Sequence, residues 1–214
     1  MLYEDKRREL IEYARMMEKY DLVRMSGGNV SERLEDGNII VTPSAMSYDT
    51  MVPEDIVVVD INSNVVEGKR RPTSDLSAVL YIMQNMPEVN AIIHTHQPKA
   101  TAFSLIGDLL PVISTTMVDE IKDEVQVAPF TISSDIGMGI ETVKHAGKSL
   151  CVILKNHGAI AYGKSLEQAF SAAVYLEETC EVYMSALATG KKITALTRKQ
   201  IEEEDAPRGY YGQY

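Results

Sequence analysis

The stretch NAIIHTHQP, residues 90–98, ends a run of apolar and β-branched residues in two histidines one residue apart. Such a run favours a buried strand, and Pro98 stops it. Side chains alternate faces along a strand, so His94 and His96 project to the same side. Two neutral imidazoles there are two ligands for a borderline-soft divalent ion such as zinc. A pair of half-buried histidines with ordinary hydrogen bonds gives the same pattern. His157 falls in a turn after a second apolar run, 150–154, where Gly158 permits close backbone approach. Of the chain's four histidines, His145 falls on an expected solvated helix and the other three at strand ends. Three histidine ligands leave a coordination position open, which a Lewis-acid metal uses to polarise a substrate oxygen.

A second chemistry is suggested by three hydroxyl- and glycine-rich loops. TSD at 73–75 opens an expected helix, SGGN stands at 26–29 and TPS at 42–44. Hydroxyls and free amides at a helix start accept an anion, and the same residues serve as plain helix caps. Together the three loops could converge on one phosphate. Asp75, one step past the hydroxyls, then brings a carboxylate close to the anion and to the metal, where it can act as a general base.

These residues need elements to hold them. An apolar stripe of Leu10, Ile11, Ala14 and Met17 makes residues 4–20 a helix. Val30 begins a short strand, Asp36-Gly37 turns the chain, and 39–42 returns. DIVVVDINSNVVEG forms a second hairpin turning at 62–64. Residues 74–86 form a helix capped by Ser74 or Thr73. The strand to His96, a helix near 98–106, a strand in EVQVAPF and a helix at 136–147 follow. SLCVILKNHGAIAYG makes a strand pair around His157-Gly158. Residues 165–188 make a long amphipathic helix entered from Ser165, and a charged tail from 196 ends in GYYGQY. One mixed sheet covered by helices is the expected architecture.

The totals narrow the function. With 214 residues, 45% of them hydrophobic and 24% charged, the chain suits one domain with a sizeable core. A net charge of −10 argues against nucleic acid as a partner, while local fields can still attract a small anion. Cys151 and Cys180 lie in an apolar run and a helical run, as buried thiols in a reducing compartment do. The charged start MLYEDKRREL does not look like a secretory signal, and no apolar run nears the roughly 20 residues of a membrane span. A cytoplasmic protein without membrane contact is expected.

GGNVS at 27–31, TPSAM at 42–46, RPTSD at 71–75, HTH at 94–96 and NHG at 156–158 together resemble the class II aldolase/adducin family, in order and spacing and over nearly the whole chain. Its enzymes include L-fuculose-1-phosphate aldolase and L-ribulose-5-phosphate 4-epimerase. The resemblance implies a single three-layer α/β/α domain over 1–214 with a mixed, mainly antiparallel sheet. It implies a tail at 196–214 that closes the active site, and a homotetramer with active sites between subunits. It further implies one zinc ion per subunit on His94, His96 and His157. A sugar phosphate would bind through Gly28, Asn29, Thr42, Ser44, Ala45, Thr73 and Ser74, with Asp75 moving a proton.

The family pattern divides on the reaction. Asp75 stands where the aldolases usually have glutamate and the epimerases aspartate. Asp119 in TTMVD and the YYGQ ending, with Tyr210 and Tyr211, also resemble the epimerases. Against them stand the shorter chain, Thr42 in place of a phosphate-binding lysine, and no histidine just before the terminal tyrosines. The mid-chain tyrosine of the aldolases is missing from STTM, and Ala45 replaces a frequent glycine. The expectation is a zinc-dependent aldolase cleaving a ketose 1-phosphate, with the epimerase as alternative and a non-catalytic adducin-like binding protein as a remote third.

Overall fold

The structure, a computed structural model, describes residues 1–206. Its elements in chain order are α1 (Glu4–Lys19), β1 (Asn29–Arg33), β2 (Ile39–Val41), β3 (Val57–Val59), β4 (Val65–Glu67), α2 (Leu76–Asn85), β5 (Ala91–Thr95) and α3 (Pro98–Ser104). There follow β6 (Leu109–Leu110), α4 (Thr115–Glu120), β7 (Val125–Ala128), α5 (Gly137–His145), β8 (Cys151–Leu154), β9 (Gly158–Gly163), α6 (Leu166–Leu187) and α7 (Arg198–Asp205).

The strands are short, and β2, β3 and β8 are apolar and buried on both faces, which a sheet tolerates only when helices cover both sides. They form one nine-stranded sheet in the order β4-β3-β2-β1-β5-β9-β8-β7-β6. Neighbours pair antiparallel except β7 with β8. Strand alternation sorts the core into two layers. Ile40, Val58, Ala91 and Ile93 join α1, α3, α4 and α6 on one face. Ile39, Val41, Val57, Val59 and Ile92 join α2 and α5 on the other. The result is the α/β/α sandwich that the family resemblance implies.

Most expected elements appear with slightly shorter bounds. Four features depart from expectation. The short helix α4 and the two-residue strand β6 were not foreseen; at six and two residues they carry no readable periodicity. The supposed tail from 196 begins as α7, capped reciprocally by Thr197 and Gln200. It buries Ile201 and is tied by Arg198 to both oxygens of Asp123 at 3.0 Å. Helix α2 starts at Leu76, so Asp75 takes the capping position in place of Ser74 or Thr73. Its carboxylate makes no cap bond to the helix.

Cys151 and Cys180 are buried free thiols, as expected. Among the described residues no helix is long and apolar enough to cross a membrane.

Candidate metal centre

His94 closes β5 on the face shared with α2 and α5, in the same alternation as Ile92. His96 lies one residue past the end of the strand, and its ring still meets that of His94, with centroids 4.9 Å apart. His157 ends the tight turn between β8 and β9. That turn passes close against β5: a Cβ on Gly158 would stand 2.0 Å from the carbonyl oxygen of Thr95, so only glycine fits. One potential ligand nitrogen from each histidine lies within 4.8 Å of the other two.

The hydrogen bonds set the chemistry of this group. His94 Nδ1 faces the carbonyl oxygen of Ala159 at 3.0 Å. A carbonyl only accepts, so Nδ1 carries the hydrogen and Nε2 presents its lone pair. His94 Nε2 and His96 Nε2 are 3.2 Å apart. Two nitrogens bound at about 2.0–2.1 Å in a tetrahedron around one ion stand roughly 3.3 Å apart, so the pair fits such an ion without rearrangement. Burial holds the His94 imidazole down to about 4; Asp75 opposes the shift, and the two neighbouring imidazoles add to it. Burial likewise lowers His96 and His157. All three rings are therefore neutral near pH 7, the form that coordinates a metal.

Asp75 stands beside this set. Its Oδ2 is 3.9 Å from His94 Nε2 and accepts a hydrogen bond from Asn29 Nδ2 at 2.7 Å. Its backbone amide donates to Thr73 Oγ1 at 3.3 Å. The carboxylate thus points to the histidines, because Asn29 and not the helix start holds it.

Histidines and carboxylate open into a cleft of about 140 Å³. Of the expected phosphate residues, Gly28, Ser44, Ala45, Thr73 and Ser74 line it. Asn29 and Thr42 are buried behind it. Asn29 turns its amide to Asp75, and Thr42 Oγ1 accepts from the backbone amide of Val30 at 3.2 Å. The loops are tied to one another. Ser44 N–H donates to Arg71 O and Thr73 N–H to Thr42 O, each at 3.0 Å. The Tyr48 hydroxyl donates to the carbonyls of Gly27 and Gly28. Asp119 sits on α4, which packs on α6 and α7, and is not among the cleft residues of its own chain. Tyr210 and Tyr211 lie outside the described residues.

Sequence reading missed Tyr48, whose role is a long-range hydrogen bond, and Ser133 and Ser134, which line the cleft from the loop before α5. The ISSD stretch at 132–135 repeats the hydroxyl-before-helix pattern of TSD, a signal that was available.

An L-fuculose 1-phosphate aldolase structure superposes with a TM-score of 0.90, covering 96% of each chain at 29% identity. A 5-deoxy-D-ribulose 1-phosphate aldolase from Bacillus thuringiensis serovar kurstaki is 29% identical, over 89% of this chain and 90% of that one. An L-ribulose-5-phosphate 4-epimerase from Salmonella paratyphi B is also 29% identical, over 91% and 92%. The family profile described as Class II Aldolase and Adducin N-terminal domain matches residues 8–184. The chain therefore belongs to the class II aldolase and adducin family.

Proposed function

We infer that this chain is a zinc-dependent sugar-phosphate aldolase. It reversibly cleaves a ketose 1-phosphate resembling L-fuculose 1-phosphate into dihydroxyacetone phosphate and an aldehyde. The observation that carries the reading is the Asp75 carboxylate, 3.9 Å from His94 Nε2 in a cleft shared by three neutral histidines and the Ser44, Thr73 and Ser74 loops. Three imidazoles and one open position suit zinc. When bound there, the ion supplies Lewis-acid polarisation of the ketose carbonyl and offsets the charge left as the carbon–carbon bond breaks.

The chain's own residues do the rest. The hydroxyls and amides around Gly28, Ser44, Ala45, Thr73 and Ser74 take the phosphate. Asn29 and Thr42 support that loop from behind. In the cleavage direction the bond between C3 and C4 breaks, the C4 hydroxyl loses its proton as the aldehyde forms, and C3 gains one. Asp75, steadied by the Asn29 amide, is the group placed to carry the proton at C3. The proton at the C4 oxygen is assigned to Tyr210 or Tyr211, since STTM offers no tyrosine. The active unit is a homotetramer with sites between subunits. Phe130 and Ile132, 65% and 72% exposed on the segment that also carries Ser133, support a neighbouring chain beside the cleft. The cytoplasm is the proposed location, in keeping with the two buried free thiols.

Aspartate at position 75 favours a second reading, the 4-epimerase, in which the same bond breaks and re-forms after rotation. In that reading Asp119 serves a neighbouring subunit's cleft. Parallel assays with L-fuculose 1-phosphate and L-ribulose 5-phosphate separate the two. The aldolase releases dihydroxyacetone phosphate from the first. Conversion of the second to D-xylulose 5-phosphate without such release gives the epimerase.

A further inference from the structure

The three histidines are not held alike. The His94 ring is fixed by the Ala159 carbonyl, and its backbone pairs with strands on both sides. Among the described residues, no protein oxygen bonds the ring of His96 or of His157. His96 also lies beyond Thr95, the last paired residue of β5. Its place in the group therefore depends on what fixes the backbone there.

Two contacts act from the front. The His96 amide donates to the Leu22 carbonyl at 3.0 Å. A Cβ on Gly158 would stand 3.1 Å from His96 Cα, so the turn bearing His157 packs close. A third set acts from behind. The alternation that turns His94 and His96 to the cleft turns Thr95 and Gln97 to the α3 and α6 side, where both are fully buried. The Thr95 hydroxyl donates to Gln97 Oε1 at 2.6 Å. Gln97 Nε2 donates to the Ala173 carbonyl at 3.1 Å and to Glu177 Oε2 at 3.4 Å, both on α6. A glutamine amide has one acceptor oxygen and two donor hydrogens, and here each has a partner. Flipped, it would set its oxygen against a carbonyl and a carboxylate, so only this orientation is satisfied.

The network reaches the third histidine through α3. The Glu177 carboxylate accepts the amides of Lys99 and Ala100 at 2.8 and 3.1 Å. The Thr101 hydroxyl donates to the Gln97 carbonyl at 2.7 Å and lies 3.4 Å from the carbonyl of His157. Capping alone does not require Gln97, because Glu177 meets the α3 amides directly. What the glutamine adds is the tie between α6 and the chain just past His96. We propose that Gln97 is a positioning residue of the metal centre, supported by Thr95 and Glu177. It is absent from the cleft lining and acts through the backbone of His96. The inference rests on the metal reading above and holds for aldolase and epimerase alike. Loosening this tie lets His96 drift from His94 and His157 and weakens the site for its ion.

The test is zinc affinity, measured by competition with a chromophoric chelator at pH 7.5 for the wild type, Gln97→Met and Thr95→Val. Methionine fills a similar space without an amide, and valine keeps the branched shape of threonine without its hydroxyl. Gln97→Met is expected to bind zinc about 10-fold more weakly and Thr95→Val about 3-fold. The visible absorption of the cobalt(II) form of Gln97→Met is expected to differ from that of the wild type, as a changed ligand geometry requires. Circular dichroism and thermal unfolding identify the folded variants. A merely structural role lowers the melting temperature and leaves affinity and cobalt spectrum as in the wild type; that result in a folded Gln97→Met overturns the inference. If Gln97→Met does not fold, Thr95→Val decides, and wild-type zinc affinity in it overturns the inference equally. A wild type that binds no zinc overturns the metal reading and this inference with it.

Discussion

At the scale of single residues, the position of Asp75 decides between a structural and a chemical role. A carboxylate at a helix start usually contributes by capping it. Here it makes no cap bond and lies within reach of the histidine group instead. Asp75→Asn retains an acceptor for the Asn29 amide and removes the base. Turnover should fall on the order of 10²-fold or more, with the melting temperature nearly unchanged. Near-normal kcat would remove Asp75 from the chemistry. The histidines give a second prediction, in the metal-free protein. In the folded chain His94 stays neutral down to about pH 4, whereas in the unfolded chain it protonates near 6.5. Between those values the unfolded state binds more protons. Stability is therefore full above pH 6.5 and is lost progressively as pH falls to about 4, on the order of 2 kcal/mol by pH 5. His96 and His157 act in the same sense. Urea unfolding of EDTA-treated protein at pH 7.5 and pH 5 should show a clearly smaller loss for His94→Asn than for the wild type. Equal losses would refute the burial argument.

At the scale of elements, the site depends on close approaches that only particular residues permit. Gly139→Ala drives a methyl group into the backbone of Ala78, so the α2–α5 contact must open. A destabilisation of about 1–3 kcal/mol is expected in chemical denaturation, with a loss of kcat/KM larger than the folded fraction explains. A variant as stable and active as the wild type would mean that the two helix starts need not touch. The same contrast explains what the sequence could tell. Strands β1, β2, β5, β8 and β9 were legible because β-branched runs and turn residues are local signals. The histidine group was legible because HTH and NHG sit at strand ends. The Asn29–Asp75 bond, the Tyr48 hydroxyl on the Gly27 and Gly28 carbonyls, and the arrival of Ser133 in the cleft were not. They join residues 46, 20 to 21 and about 60 positions apart, and such distances leave no periodicity to read. Helix α7 was hidden for another reason. Its sequence RKQIEEED is nearly all charged, and packing on α4 together with the Arg198–Asp123 pair holds it in place.

At the scale of the whole molecule, the cleft of a single chain brings together the histidines, Asp75 and the hydroxyl-bearing loops, but among the described residues no tyrosine lines it. The proposed assembly supplies that group from the GYYGQY ending, whose three tyrosines follow a charged stretch. Removal of residues 209–214 should cut turnover strongly while zinc content and oligomer size by light scattering stay unchanged. Full turnover after that deletion would exclude the ending from the site. The central claim is that a metal ion on His94, His96 and His157 carries the carbon–carbon chemistry. Titration of zinc into the EDTA-stripped enzyme, with dihydroxyacetone phosphate release from L-fuculose 1-phosphate as the readout, tests it most directly. The expected curve rises from near zero and saturates at about one zinc per chain, and His96→Ala stays flat. Full release by the stripped wild type, or recovery by His96→Ala equal to that of the wild type, would contradict it.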